Sequence, residues 1–121
     1  MQFEGIYTPV VTPYYEDFSL NKEGLAETID HLVSAGVHGL IIAGTTGEYY
    51  AQSSEERFEM MAMAKDMIGG RVPMIVGTGA IRTEDSIEFA KAAKHIGADA
   101  LLTPPPPPPH CHRRRRDAAA I

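Results

Sequence analysis

Tryptophan is absent from this chain of 121 residues, and cysteine occurs once, at Cys111. A lone thiol excludes an internal disulfide and fits a reducing compartment. No stretch approaches the roughly 20 apolar residues that a membrane-spanning helix requires. The opening Met1-Gln2-Phe3-Glu4 has neither a basic start nor an apolar run, so no secretory leader is expected and the expected location is cytoplasmic. Nucleotide-binding signatures are missing too. There is no Gly-x-x-x-x-Gly-Lys, and Gly77-Thr78-Gly79-Ala80-Ile81-Arg82 puts an arginine where a dinucleotide fingerprint needs a glycine or alanine.

What is present is enough for one domain: 44% of the residues are hydrophobic. Charge is unevenly spread. Residues 1–103 carry 7 basic and 15 acidic side chains, net −8, whereas residues 104–121 carry 4 and 1, net +3. An acidic body argues against nucleic-acid binding by the folded part.

Along that body one unit recurs. Ile6 to Val11 is apolar and β-branched and reads as a buried strand. Asn21 or Ser19 can cap a helix whose Leu25, Ile29, Leu32 and Val33 share one face. Gly36 suits the left-handed helix stop. Leu40 to Ala43 is a second strand. Ser53 and Glu56 form a capping box for a second helix, with Phe58, Met61, Ala62 and Ile68 expected inward and Gly69-Gly70 as its end. Pro73 to Val76 is a third strand. Thr83 to Ser86 opens a third helix, with Ile87, Ala90, Ala93 and Ile96 expected inward, and Ala100 to Leu102 is a fourth strand. Strand and helix alternating at roughly 30 residues per unit imply parallel βαβ crossovers. The fold class is therefore α/β. Periodicity leaves open a doubly wound sheet or part of a (β/α)8 barrel.

In both architectures, chemistry sits where strands end. Strand one ends near Thr8, Pro9, Thr12 and Pro13, strand two in Gly44-Thr45-Thr46-Gly47-Glu48, and strand three in Gly77-Thr78-Gly79-Ala80. Glycine lets backbone amides approach a carboxylate or phosphate. Paired threonine hydroxyls can hold an anion or pass a proton. The same residues also suit tight βα turns with no further role.

Gly39 to Glu56, containing Gly-Thr-Thr-Gly-Glu and the trailing Glu56, resembles the dihydrodipicolinate synthase/N-acetylneuraminate lyase family of class I aldolases. Thr8-Pro9-Val10-Val11-Thr12-Pro13, Val76-Gly77-Thr78-Gly79 and Leu101-Leu102-Thr103-Pro104 resemble that family's first, third and fourth strands, in order and spacing. The resemblance implies parallel (β/α) units forming the N-terminal half of a (β/α)8 TIM barrel over residues 1–103. It also implies a lyase that binds pyruvate or another 2-oxo acid through a lysine Schiff base, and a tetramer for the full-length family. Carried onto this chain, Thr45 joins a proton-relaying set of hydroxyls, and Thr46 with Gly47 holds the substrate carboxylate. No cofactor and no metal are expected.

Two departures accompany the resemblance. Tyr49 stands where many members carry a small residue, and Thr103-Pro104 is followed by Pro105 to Pro109 rather than by a relay tyrosine. The Schiff-base lysine belongs to a later strand. Lys22, Lys65, Lys91 and Lys94 fall on or beside helices and are expected to be solvated surface charges. The chain is thus expected to stop short of its catalytic lysine and to be inactive alone. Residues 104–121, with six prolines, His110-Cys111-His112 and Arg113 to Arg116, are expected to be a disordered tail or the product of a frameshift. A different reading makes the chain a non-enzymatic interaction protein, a half-barrel with a proline- and arginine-rich binding arm.

Overall fold

The computed structural model describes residues 2–105. Strands β1 (Tyr7–Pro9), β2 (Gly39–Ile42), β3 (Met74–Gly77) and β4 (Ala100–Leu102) alternate with helices α1 (Lys22–Ser34), α2 (Ser54–Ile68) and α3 (Thr83–His95). The strands form one parallel sheet in the order β1-β2-β3-β4. Its register pairs Tyr7 with Gly39, Leu40 with Met74 and Ile75 with Ala100. Each crossover steps to the next strand in the same direction, and right-handed crossovers of that kind put all three helices on one face. The expected parallel α/β units are therefore present, with β1 and β4 as edges of the described sheet. Residues 106–121, and with them most of the proline- and arginine-rich tail, lie outside the described residues.

Local chemistry sets the helix ends. The Asn21 side chain accepts from the Gly24 amide at 2.8 Å, so Asn21 is the α1 cap, whereas Ser19 turns to Asp17. At α2 both halves of the capping box form: the Glu56 amide reaches Ser53 Oγ, and Glu56 accepts from the Ser53 amide. Gly36, Gly69 and Gly97 follow the helices with positive φ.

The core lies between the sheet and its helices, on Leu25, Ile29, Leu40, Ile42, Met60, Met61, Met74, Val76 and Phe89. Three expectations need correction. The strand read over Ile6 to Val11 is ordered as a strand only over Tyr7–Pro9, and at that edge position Ile6 and Val11 are exposed. Helix α2 buries Met61 and Ile68 as expected, but Met60, Ala64 and Arg57 are buried with them, while Phe58 and Ala62 are exposed. Helix α3 buries Ala93 as expected, and Ile96 just past its end packs against the core, but Ile87 is exposed and the unforeseen Phe89 is buried. The Arg57 guanidinium occupies the core beside Phe89 (3.7 Å from its ring centroid), a position that apolar patterning assigns to a hydrophobe.

Candidate active site

The carboxyl ends of the strands converge on a cluster of threonines and glycines. After β2 the chain passes through Ala43 in a left-handed conformation (φ 58°) and enters a compact turn. There the Gly47 amide donates to the Gly44 carbonyl and the Glu48 amide to the Thr45 carbonyl, at 3.1 and 3.0 Å. The amides of Thr45 and Thr46 are not used in these internal bonds, and both threonines are exposed. Gly47 is buried. A Cβ there would stand 3.0 Å from the Val10 carbonyl oxygen, so glycine is what allows β1 to close on the turn.

Thr12, from the β1 end, fixes the turn from below. Its buried hydroxyl donates to the Gly47 carbonyl at 2.7 Å, and Gln52 bridges Thr12 Oγ1 and the Tyr14 hydroxyl at 3.3 and 3.0 Å. At the β3 end Thr78 is fully buried, its hydroxyl 2.8 Å from that of Thr103 at the end of β4. Its amide donates to the Leu102 carbonyl, and its own carbonyl accepts from Ser86 Oγ at 2.7 Å. The strand ends thus place Thr12, Thr45, Thr46, Thr78 and Thr103 around one rim. The three residues singled out from sequence, Thr45, Thr46 and Gly47, sit together in the β2 turn. None of them lines the neighbouring cavity of about 280 Å³, which is bounded by Tyr49, Arg57, Asp85, Phe89 and Pro104 among others.

Arg57 was not distinguishable in the sequence from any surface arginine. In the structure it is 3% exposed, and it donates from Nη1 to the Gly79 carbonyl at 2.7 Å and from Nη2 to the Gly77 carbonyl at 3.0 Å. Its plane lies 3.7 Å from the Phe89 centroid and 4.9 Å from that of Tyr49. Burial pulls its pKa down to about 10, partly opposed by Tyr49, so the side chain remains cationic near neutrality. The planar fork matches two carbonyls that bracket Thr78. Arg57 therefore sets the β3 loop in place, and Gly77 permits the approach of β2: a Cβ there would lie 2.1 Å from the Ala43 carbonyl oxygen.

The lysines are all peripheral. Lys22 pairs with Glu59 and Lys91 with Glu88, at 3.2 and 3.0 Å; Lys65 caps the Gly97 carbonyl at 2.8 Å; and Lys94 is exposed. Among the described residues no group of three or more His, Cys, Asp or Glu side chains is placed to hold a metal ion. No described helix is long and apolar enough to cross a membrane.

The model of the dihydrodipicolinate synthetase family matches residues 2–107. A 4-hydroxy-tetrahydrodipicolinate synthase of Methanospirillum hungatei is 39% identical over 102 residues, covering 83% of this chain and 35% of its own length. A protein of the same name from Streptococcus suis is 44% identical over 92 residues, covering 76% of this chain and 30% of the relative. Among solved structures, YagE is a prophage protein of the dihydrodipicolinic acid synthase family from E. coli K12, solved in complex with pyruvate. It superposes with a TM-score of 0.82 at 38% identity, over 85% of this chain and 35% of its own. The chain spans about a third of the length of the relatives it matches. It belongs to the dihydrodipicolinate synthetase family, a family of (β/α)8-barrel lyases, and supplies the N-terminal part of that fold.

Proposed function

We propose that residues 1–103 carry the carboxylate-binding and hydroxyl-bearing side of a 2-oxo acid lyase site, and that pyruvate or a close analogue is its substrate. The observation that carries this reading is the β2 turn. It offers the amides of Thr45 and Thr46 outside its internal bonds, with two exposed hydroxyls, at the strand ends where a barrel enzyme works. In this reading the Thr46 hydroxyl and the turn amides, set by Gly47, hold the substrate carboxylate, since converging donors are what a carboxylate requires. Thr45 belongs to the relay that moves protons. The amine that condenses with the substrate carbonyl comes from outside these residues, because a nucleophilic lysine must be desolvated and these lysines are paired at the surface or exposed. The 121-residue chain alone is accordingly inactive, and the working enzyme is a cytoplasmic homo-oligomer. The pyruvate complex of the E. coli relative supports the substrate class.

The test is a titration of the isotope-labelled chain with pyruvate, followed by amide chemical shifts. Saturable shifts at Thr45, Thr46 and Gly47, abolished by Thr46→Val in a chain that stays folded, are expected. Shifts confined to the Tyr49–Arg57 cavity, or none at any pyruvate concentration, would refute the reading.

A further inference from the structure

Among the described residues, the non-glycine positions with positive φ are Phe18, Ala43 and Glu48. Two of them flank a single turn: Ala43 (φ 58°) precedes Gly44 to Gly47, and Glu48 (φ 59°) follows it. Ala43 is also fully buried. A residue with a Cβ is strained in this region, and the strain persists only where the surroundings over-determine it. Here they do. Strand β2 is an inner strand, paired with β1 on one side and β3 on the other. From the β3 side, the bare Cα of Gly77 receives the Ala43–Gly44 peptide: a Cβ on Gly77 would overlap the Ala43 carbonyl and stand 3.1 Å from the Gly44 nitrogen. Gly77 is itself held, because Arg57 Nη2 donates to its carbonyl at 3.0 Å while Nη1 holds Gly79 at 2.7 Å. From the β1 side, the Thr12 hydroxyl donates to the Gly47 carbonyl at 2.7 Å. Neighbouring strands therefore grip the turn at both ends.

We infer that Ala43 is a positioning residue of the proposed 2-oxo acid site: its clamped, left-handed backbone aims the Thr45 and Thr46 amides before any carboxylate arrives. Those amides lie outside the turn's internal bonds, and both residues are exposed, so nothing within the turn itself fixes their direction. Alanine serves this purpose better than glycine. Glycine adopts positive φ without strain but has several other wells open to it, so the peptide could turn away. Alanine has a narrow left-handed well, and once the clamp imposes it the direction of the next peptides is set. Donors ordered in advance bind an anion without the cost of ordering them. This inference rests on the reading of Thr45 and Thr46 as carboxylate donors.

Nuclear magnetic resonance of the isotope-labelled full chain gives two readings free of mutation. A strong amide-to-Hα cross-peak within Ala43 is expected from its positive φ, and the Thr45 and Thr46 amides are expected to be as ordered as β2 despite their exposure. A negative φ at Ala43, or turn amides looser than the strand, would overturn the inference. Ala43→Gly is expected to lower the order of both amides and to weaken pyruvate binding about fivefold or more. Gly36→Ala, which strains the distant turn after α1, is expected to change neither in the folded chain. Unchanged order and affinity in Ala43→Gly, or an equal loss in Gly36→Ala, would remove the positioning role. Pyruvate binding that Thr46→Val abolishes but Ala43→Gly leaves intact would sink this inference alone, whereas a wild-type chain that binds no pyruvate would sink the proposed site and this inference with it.

Discussion

Removing the Arg57 guanidinium tests how the β3 loop is held. Two bonds from a charged donor are lost, at 2.7 and 3.0 Å, and the Gly77 and Gly79 carbonyls they satisfied are left behind. Bonds to charged groups contribute about 1.5–3 kcal/mol each. Against that stands the cost of burying the cation, visible in its pKa of about 10. The adjoining cavity of about 280 Å³ can admit water to the bared carbonyls, which softens the loss further. Arg57→Ala is therefore expected to cost about 2–4 kcal/mol net. Arg57→Lys reaches one carbonyl and forfeits the planar contact with Phe89, for about 1–2 kcal/mol. Arg57→Met keeps the packing but neither bond, and falls between the two. Urea unfolding gives the comparison through the midpoint at constant slope. An Arg57→Ala chain within about 0.5 kcal/mol of wild type would refute the bridging role, as would a lysine variant weaker than alanine.

Glycine substitutions separate steric from conformational cost. Gly77→Ala puts a Cβ 2.1 Å from the Ala43 carbonyl and is expected to cost about 3 kcal/mol or more, whereas Gly36→Ala meets nothing within 4 Å and bears only its positive φ, about 1–2 kcal/mol. Equal midpoints for the two in urea would contradict this. Ser53→Ala breaks the α2 capping box and should lose about 1 kcal/mol, read in the same assay. The Asp17 carboxyl is held below its ordinary range by the Ser19 hydroxyl and amide. Its folded-state pKa is thus depressed, so its small contribution to stability is present above the unfolded carboxylate pKa and is lost as pH falls through the folded value. Ser19→Ala should raise the Asp17 titration midpoint in a carboxyl NMR titration, and an unmoved midpoint would remove the assigned cause.

The order of the elements was legible because its signals are local. Asn21 before a helical face, Ser53 with Glu56, and glycines after each helix specify ends within a few residues of themselves. The β2 turn was legible for the same reason: its glycines and hydroxyls are contiguous. On α2 and α3 the inward Met61, Ile68 and Ala93 were legible, but the burial of Arg57 with Phe89 was not, since the partners of Arg57 are carbonyls 20 and 22 residues further on and an aromatic ring from α3. No window along the chain contains that information. Thr12 was noted only as a strand end, and its bond to Gly47 across 35 residues became visible once β1 and β2 were paired.

Joining residues 1–103 to the remaining length of the Methanospirillum hungatei relative, then reducing with borohydride in the presence of pyruvate, tests the central claim most directly. The joined protein is expected to trap pyruvate covalently on a lysine contributed by the relative, and Thr46→Val to weaken its pyruvate dependence. The 121-residue chain alone is expected to trap none. A folded joined protein that traps nothing, or an adduct on Lys22, Lys65, Lys91 or Lys94 of this chain alone, would contradict the account.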